Sequence, residues 1–202
     1  MISDVPGRKV SFSHFGTSCI DLGRMRTFYT EVMGMVVSDE GRIDVPGGPA
    51  IELCFLTTDP EDHHQFVLTS GRKDTTVDMS PYGGGVVGAQ IFQMSFRLDS
   101  LPSLRSMMDR FRANGIEAFV GLNHGNAWAV YTRDIEGNPV ELFVDSPWYV
   151  AQPCGFLIDF SKTDDEIIAE TRAYCEAQPE MEPYSSWSAR MAGRIAAAQA
   201  GI

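Results

Sequence analysis

Two segments of the sequence carry the same succession of elements, and this internal repeat restricts the fold more than any other feature. In each copy an extended apolar stretch leads to a residue that can cap a helix, then to apolar residues at helical spacing, and then to a glycine. The caps, Asp21 and Ser100, are 79 residues apart (100 − 21), and the glycines, Gly34 and Gly115, are 81 apart (115 − 34). One copy alone would expose an apolar face that the other can cover, so we expect the two copies to share one core.

Turn sequences containing Gly, Pro, Asn or Asp divide the rest of each copy into short strands, at residues 45–48, 59–60, 123–126 and 136–139. The first strands are predicted over Val10–Ile20 and Ile91–Leu98, so each copy reads βαβββ. We therefore predict an α+β fold in which two βαβββ modules, at about residues 9–70 and 89–146, form a curved mixed sheet around a shared site. Residues 71–88, rich in Gly, Ser, Thr and Asp, are predicted to link them.

The last part of the chain departs from the repeat. Thr163 to Glu166 has the pattern of a helix capping box, and apolar residues at helical spacing follow. Prolines then interrupt the pattern, and residues 185–200 can form a last helix. We predict that residues 1–146 form the repeat domain and that residues 147–202 form a helical C-terminal extension. The sequence leaves open whether this extension packs on the sheet, covers the site or makes a dimer contact, and we expect a homo-oligomer.

Charge and composition argue against several kinds of partner. The 202 residues carry a formal charge of −11, which repels nucleic acid and anionic membranes. No run of about 18 apolar residues could span a membrane, and residues 1–10 lack the apolar segment of a secretory signal. We therefore expect a cytoplasmic protein without a nucleic-acid or membrane partner, whose four cysteines are reduced and mostly buried.

Four polar side chains stand at equivalent positions of the two copies. His14, in the first predicted strand, is 79 residues before Gln93 (93 − 14), and His64, at the start of another, is 77 before Glu141 (141 − 64). Two related sheets that face each other would bring these side chains to one point. Two imidazoles and a carboxylate suit Fe(II), Mn(II) or Zn(II), and iron held in this way keeps positions open for substrate and oxygen. The sequence predicts a divalent metal site of His14, His64 and Glu141, with Gln93 as a further candidate.

Each of these residues also has an ordinary structural explanation. A single histidine in a strand is more often a hydrogen-bonded core or surface residue than a ligand, and only the joint placement of three candidates favours a metal. Neighbouring strand residues face opposite sides, so His63 is expected to point away from His64, although exchanged roles are an alternative. Glu141 lies between two apolar residues, where a buried carboxylate needs a cation or strong hydrogen bonds.

Several stretches together resemble one known superfamily. They are Ser13–Phe15, Phe28–Met35, His63–Phe66 and, most specific of all, Tyr131–Glu141. They resemble the vicinal oxygen chelate superfamily, which includes type I extradiol catechol dioxygenases, glyoxalase I, methylmalonyl-CoA epimerase, and fosfomycin and bleomycin resistance proteins. The resemblance covers about Val10 to Trp148.

The pattern is most similar to that of the extradiol dioxygenases. The pair His63-His64 resembles theirs, and the loop His124-Gly125-Asn126 with Tyr131 resembles the His-x-Asn and tyrosine that they place near the substrate hydroxyls. This resemblance implies ring opening of a small catechol-like aromatic diol by O2 at a non-haem Fe(II), with Mn(II) or another divalent metal as the alternative ion. Tyr131 would bond a substrate oxygen and His124 would move protons, although a loop histidine beside glycine is more often merely solvated.

The third ligand position departs from that pattern. Extradiol enzymes usually carry histidine there, whereas this chain has Gln93, a neutral side chain that cannot act as an acid or base. Either His64 supplies the second imidazole, or Gln93 binds and His64 assists the reaction. Imidazole is the better ligand for these metals, which favours His64.

Other functions of the same fold stay open. One is a glyoxalase, epimerase or resistance-type metalloenzyme, and another is a metal-free protein that binds small molecules. Aromatic residues near the candidate ligands could wall an apolar pocket, although core packing explains each of them at least as well. These residues are Phe15, Phe66, Trp128 and Phe143.

Overall fold

A computed structural model of the chain describes residues 11–79 and 91–199, so Val10 and linker residues 80–88 lie outside the described residues. It confirms the predicted α+β fold with curved mixed sheets. The elements in chain order are β1 (Phe15–Ser18), α1 (Leu22–Thr27) with a π-helical continuation (Phe28–Val32), β2 (Val36–Ile43), β3 (Ile51–Thr57), β4 (Phe66–Thr69), β5 (Met94–Leu98), α2 (Leu101–Ala113), β6 (Val120–Asn123), β7 (Ala127–Arg133), β8 (Pro139–Asp145), β9 (Trp148–Tyr149), β10 (Phe156–Leu157), α3 (Asp164–Glu176), β11 (Glu182–Pro183) and α4 (Tyr184–Gln199).

The two copies of the repeat form two sheets of matching topology. The first has the order β1-β4-β3-β2, and the second has β10-β6-β7-β8-β5. In each sheet the first strand of the module lies parallel to its last strand, with Phe15 opposite Phe66 and Met94 opposite Val140. The prediction of a single sheet is modified, because among the described residues β1 and β5 are edge strands that hydrogen bond to no strand of the other sheet.

The helix boundaries follow from local chemistry. The Asp21 carboxylate accepts from the Arg24 backbone N–H at 3.0 Å, and the Ser100 hydroxyl accepts from the Ser103 N–H at 3.3 Å. Gly34 and Gly115 both have a φ of 81°, the left-handed region that glycine tolerates best. The predicted caps and C′ glycines are therefore confirmed at equivalent places of the two modules.

The core lies between the helices and one face of each sheet. The π-helical continuation of α1 meets α2 where the Phe28 and Phe111 rings pack edge to face at 5.3 Å. Tyr29 extends this contact to Phe66 of β4, with ring centroids 4.7 Å apart. All four side chains are buried, so one core joins the two modules.

Several strands are shorter than predicted, which moves candidate residues out of them. The ladder between β1 and β4 begins at Phe15 and Phe66, so His14 and His64 precede their strands. Gln93 likewise precedes β5. After α2 the chain does not extend at once, because the Ile116 N–H bonds back to the Phe111 carbonyl at the end of α2, and β6 begins only at Val120.

The extension packs on the second sheet. Strand β10 pairs with β6, with Phe156 opposite Asn123, and the Ile158 N–H donates to the Gly121 carbonyl at 3.0 Å. Helix α3 begins with the predicted capping box of Thr163 and Glu166, but the two-residue strands were not predicted. Among the described residues, no helix is both long enough and apolar enough to cross a membrane.

All four cysteines are free thiols, and all but Cys154 are buried, as predicted. Burial is the main cause that raises the pKa of Cys19 from 9.0 to about 12 and that of Cys175 from 9.0 to about 11. In the unfolded chain both thiols ionise near 9, whereas in the folded chain they stay protonated. Their contribution to stability is therefore complete below pH 9 and is lost as the pH rises towards 11 or 12.

We accordingly expect the free energy of unfolding to fall above pH 9, by up to about 1.4 kcal/mol per thiol and pH unit. Urea unfolding at pH 8, 9 and 10 measures this slope. The slope should be shallower in Cys175→Ala than in the wild type. Equal slopes for Cys175→Ala and the wild type would contradict the assignment.

Candidate metal centre

Two of the three predicted ligands are in contact. The rings of His14 and His64 lie 4.2 Å apart, centroid to centroid, with their planes tilted by 54°. The Nδ1 atom of His14 is 3.1 Å from the Ser13 hydroxyl, and the Nδ1 atom of His64 is 2.9 Å from Nδ1 of His63. In both rings Nδ1 is thus engaged locally, which leaves Nε2 to bind an ion.

His63 supports His64 rather than replacing it. Its Nε2 atom lies 3.1 Å from the Asp39 carboxylate, and its side chain is 57% exposed. The prediction that His63 faces wholly away is thus wrong in one respect, since its ring touches that of His64. Desolvation first, and then the neighbouring imidazoles His14 and His63, lower the pKa of His64. This favours the neutral ring, which is the form that binds a metal.

The third predicted ligand, Glu141, lies on β8 of the second sheet. Glu141 is 8% exposed, and its carboxylate accepts hydrogen bonds from Gln93 Nε2 at 2.6 Å and from the Ser95 hydroxyl at 2.5 Å. Within the described part of the chain Glu141 forms no salt bridge, so these two neutral donors hold a nearly buried carboxylate. A cation beside it would relieve the cost of burying that charge.

The predicted ligands therefore form two halves, an imidazole pair on the first module and a carboxylate with Gln93 on the second. Over residues 11–79 and 91–199, no group of three or more His, Cys, Asp or Glu side chains lies close enough together to hold a metal ion. The set His14, His64 and Glu141 stays a prediction, with the first two in contact. Its donor chemistry fits a divalent ion, because it offers two Nε2 atoms and a carboxylate that forms no salt bridge with a described residue.

Tyr131 and His124 form a pair beside Glu141. Tyr131 lies opposite Glu141 in the ladder of β7 and β8. Its hydroxyl is 2.9 Å from Nε2 of His124, whose Nδ1 lies 2.7 Å from the Cys154 carbonyl. The carbonyl can only accept, so Nδ1 carries a proton, and in the neutral ring Nε2 accepts from the Tyr131 hydroxyl. The structure thus joins the two residues that the family resemblance selected.

A cavity of about 410 Å³ lies where the two modules meet. Gln65, the neighbour of His64, lines it, and so does Ser95, which donates to Glu141. Its other walls are mainly apolar, although Arg97 and Thr58 also line it. The apolar wall residues include Phe12, Phe15, Phe66, Phe96, Met35 and Met107. The cavity is thus bordered by residues next to both halves of the candidate centre.

Of the four predicted aromatic wall residues, Phe15 and Phe66 line this cavity and the other two do not. The buried indole of Trp128 turns to α3, because strand alternation places it on the opposite face of β7 from Tyr131. Phe143 lies under the guanidinium of Arg97, 5.3 Å from its ring centroid.

Two residues near the site escaped prediction. Ser95 could have been found, because it lies two positions after Gln93 and so faces the same side of an extended segment. Thr171 on α3 donates and accepts hydrogen bonds behind the His124 loop, and no pattern in the sequence signals it.

Comparison with known proteins identifies the family. The family description "Glyoxalase/Bleomycin resistance protein/Dioxygenase superfamily" matches residues 11–142. The chain belongs to this superfamily. Biphenyl-2,3-diol 1,2-dioxygenase 3 of Rhodococcus globerulus is 30% identical over 186 residues, which cover 84% of this chain and 85% of that protein. Biphenyl-2,3-diol 1,2-dioxygenase 2 of the same organism is 28% identical over 135 residues, or 67% of this chain and 63% of the relative.

Solved structures of the glyoxalase/bleomycin resistance/dioxygenase superfamily share the fold. A glyoxalase family protein from Bacillus cereus has a TM-score of 0.54 and 15% identity, covering 71% of this chain and 99% of that one. A glyoxylase/bleomycin resistance protein/dioxygenase domain from Frankia sp. has a TM-score of 0.52 and 19% identity, covering 68% of this chain and 99% of the other. At these identities the match extends to the fold alone.

Proposed function

We propose that this protein is an extradiol-type dioxygenase that opens the ring of an aromatic diol with O2, using a bound Fe(II). The observation that carries the proposal is the 30% identity to a biphenyl-2,3-diol dioxygenase over 84% of the chain. The hydrogen-bonded pair of Tyr131 and His124 beside Glu141 supports it, since it provides a route for the proton that a diol must lose.

The residues that would hold the ion are His14 and His64, through Nε2, and Glu141, through its carboxylate. Because these donors belong to separate sheets, we propose that metal binding draws the two halves together. A bound Fe(II) supplies a Lewis acid for the diol hydroxyls and electrons for the reaction with O2. Gln93 then keeps a supporting role, because its amide already donates to the carboxylate of Glu141.

Tyr131 and His124 would hold and move a proton. The Tyr131 oxygen can accept a hydrogen bond from a diol hydroxyl while its own O–H donates to Nε2 of His124. Transfer along these two bonds would place the diol proton on the Tyr131 oxygen and the Tyr131 proton on Nε2. The Cys154 carbonyl keeps the other ring nitrogen protonated throughout and so holds the imidazole in place.

The cavity between the modules accounts for an apolar substituent on the diol. Its aromatic and methionine walls suit a hydrophobic group, and Gln65 and Ser95 connect it with the two halves of the candidate centre. We therefore propose an aryl-substituted catechol, such as biphenyl-2,3-diol.

The protein is first loaded with Fe(II) under anaerobic conditions. Oxygen uptake is then measured after the diol and O2 are added. We expect biphenyl-2,3-diol to be consumed one for one with O2, with a yellow ring-opened product measured by absorbance. The same protein loaded with Zn(II), which has no redox chemistry, should give no uptake. Absence of uptake with every diol of a substituted catechol series would contradict the proposal, and absence of stoichiometric metal would favour a metal-free binding protein.

A further inference from the structure

The Thr171 hydroxyl is the centre of a closed hydrogen-bond network in the extension. Residue Thr171 has no exposed surface, and its oxygen accepts from Asn123 Nδ2 at 2.7 Å and from Trp128 Nε1 at 2.7 Å. Its own hydrogen goes to the Ile167 carbonyl at 2.6 Å. One donor and two acceptor positions are all that a hydroxyl has, so this group is fully used.

The Asn123 side chain transmits this contact to the next residues of the chain. Its amide nitrogen donates to Thr171, while its Oδ1 accepts from the Gly125 N–H at 2.9 Å. His124 lies between Asn123 and Gly125, and its N–H donates to the Ala127 carbonyl at 2.9 Å. The turn that carries His124 is therefore held from the side of α3.

A second part of the extension fixes the imidazole itself. The Cys154 carbonyl accepts from His124 Nδ1 at 2.7 Å, and Gln152 Nε2 donates to the His124 carbonyl at 2.8 Å. A shift of the turn would lengthen the bond to Cys154 and release the ring, and then either nitrogen could carry the proton. Only the tautomer protonated at Nδ1 can accept the Tyr131 proton at Nε2.

We propose that Thr171 is a positioning residue, through which the C-terminal extension holds the His124 turn so that an unprotonated Nε2 faces Tyr131. This inference rests on the proposed function for the roles of His124 and Tyr131. Thr171 acts through Asn123 and touches neither the substrate cavity nor the candidate ligands.

The test compares Thr171→Val, which keeps the shape but removes the hydroxyl, with Thr171→Ser, which keeps the hydroxyl. Nitrogen-15 NMR of the imidazoles in the full-length, metal-free protein at pH 8 reports the tautomer, with His124→Ala used to assign the signal. We expect one Nδ1-protonated tautomer in the wild type and in Thr171→Ser, and a mixture in Thr171→Val. In the Fe(II)-loaded protein, Thr171→Val should lose about tenfold to a hundredfold in kcat, and Thr171→Ser should restore it.

Trp128→Phe is the matched control for stability, because it removes one bond to Thr171 and leaves the bond to Asn123 intact. We expect it to lower the melting temperature while leaving the His124 tautomer and kcat as in the wild type. If Thr171→Val does not fold, Thr171→Ala removes the hydroxyl without placing a methyl group against the two donors. Thr171→Ala is then expected to show the mixture of His124 tautomers.

A folded variant without the hydroxyl that keeps the wild-type tautomer and kcat would overturn the proposal, as would a change of tautomer in Trp128→Phe. The NMR result does not depend on turnover. A wild type that shows the fixed tautomer but opens no diol would therefore contradict the proposed function and leave the positioning role standing.

Discussion

Glu141→Ala will abolish stoichiometric metal binding and lower ring-opening activity by at least about a hundredfold. Outer-shell partners of a metal already account for factors of about 10 to 100, and a direct ligand contributes more. Residue Glu141 is 8% exposed, and the described donors to its carboxylate are Gln93 and Ser95. Among the described residues no other group of three or more His, Cys, Asp or Glu side chains lies close enough together to hold the ion in its place. Elemental analysis after Fe(II) loading, followed by the oxygen-uptake assay, measures both effects.

Glu117→Ala is the matched control, because it removes an exposed carboxylate of the same net charge that lies outside the candidate site. It should bind metal and turn over substrate as the wild type does. Wild-type metal content in Glu141→Ala would show that the carboxylate is not a ligand.

The same metal analysis distinguishes His64 from Gln93 as the ligand. We expect His64→Ala to lose the metal and Gln93→Ala to keep it, whereas the opposite result would give Gln93 the ligand role.

The repeat allowed most of the fold to be predicted, because each part of it is set by neighbouring residues. Asp21 and Ser100 cap their helices through N–H groups three residues later, and Gly34 and Gly115 end them with a positive φ. The strand starts were predicted less well. A ladder begins where a partner strand is available, which the sequence of β1 or β5 alone does not show.

For the candidate site, the repeat predicted that four side chains meet at one point, and the structure shows contacts within each module. His14 meets His64, and Gln93 meets Glu141, as equivalent places in two related sheets require. The distance between these two pairs depends on how the modules pack against each other, and periodicity carries no information about that. The role of Thr171 is likewise hidden, since it is one threonine within a helix whose importance comes from three distant partners.

Besides the shared core, a turn of the second module joins the modules, because it binds the start of α1. Glu136 accepts from the Ile20 N–H at 2.8 Å and from the Asp21 N–H at 2.7 Å, and it lies 3.6 Å from the Arg72 guanidinium. Two residues earlier, the buried Asp134 accepts from the Tyr29 hydroxyl at 3.0 Å. Asp134 has no exposed surface, and this burial is the main cause that raises its pKa.

Glu136→Ala will therefore destabilise the fold by about 3 kcal/mol, because it leaves the Ile20 and Asp21 N–H groups without their acceptor. It also removes the carboxylate beside Arg72, whose guanidinium keeps its hydrogen bonds to the backbone carbonyls of Glu136 and Thr76. Urea unfolding measures this, and Glu117→Ala, the exposed control, should change stability by less than about 0.5 kcal/mol. Glu136→Ala should also bind Fe(II) more weakly than the wild type, since each module carries half of the candidate centre and Glu136 helps to hold the two modules together. A loss of less than about 1 kcal/mol would mean that the apolar contact of α1 with α2 is sufficient to join the modules.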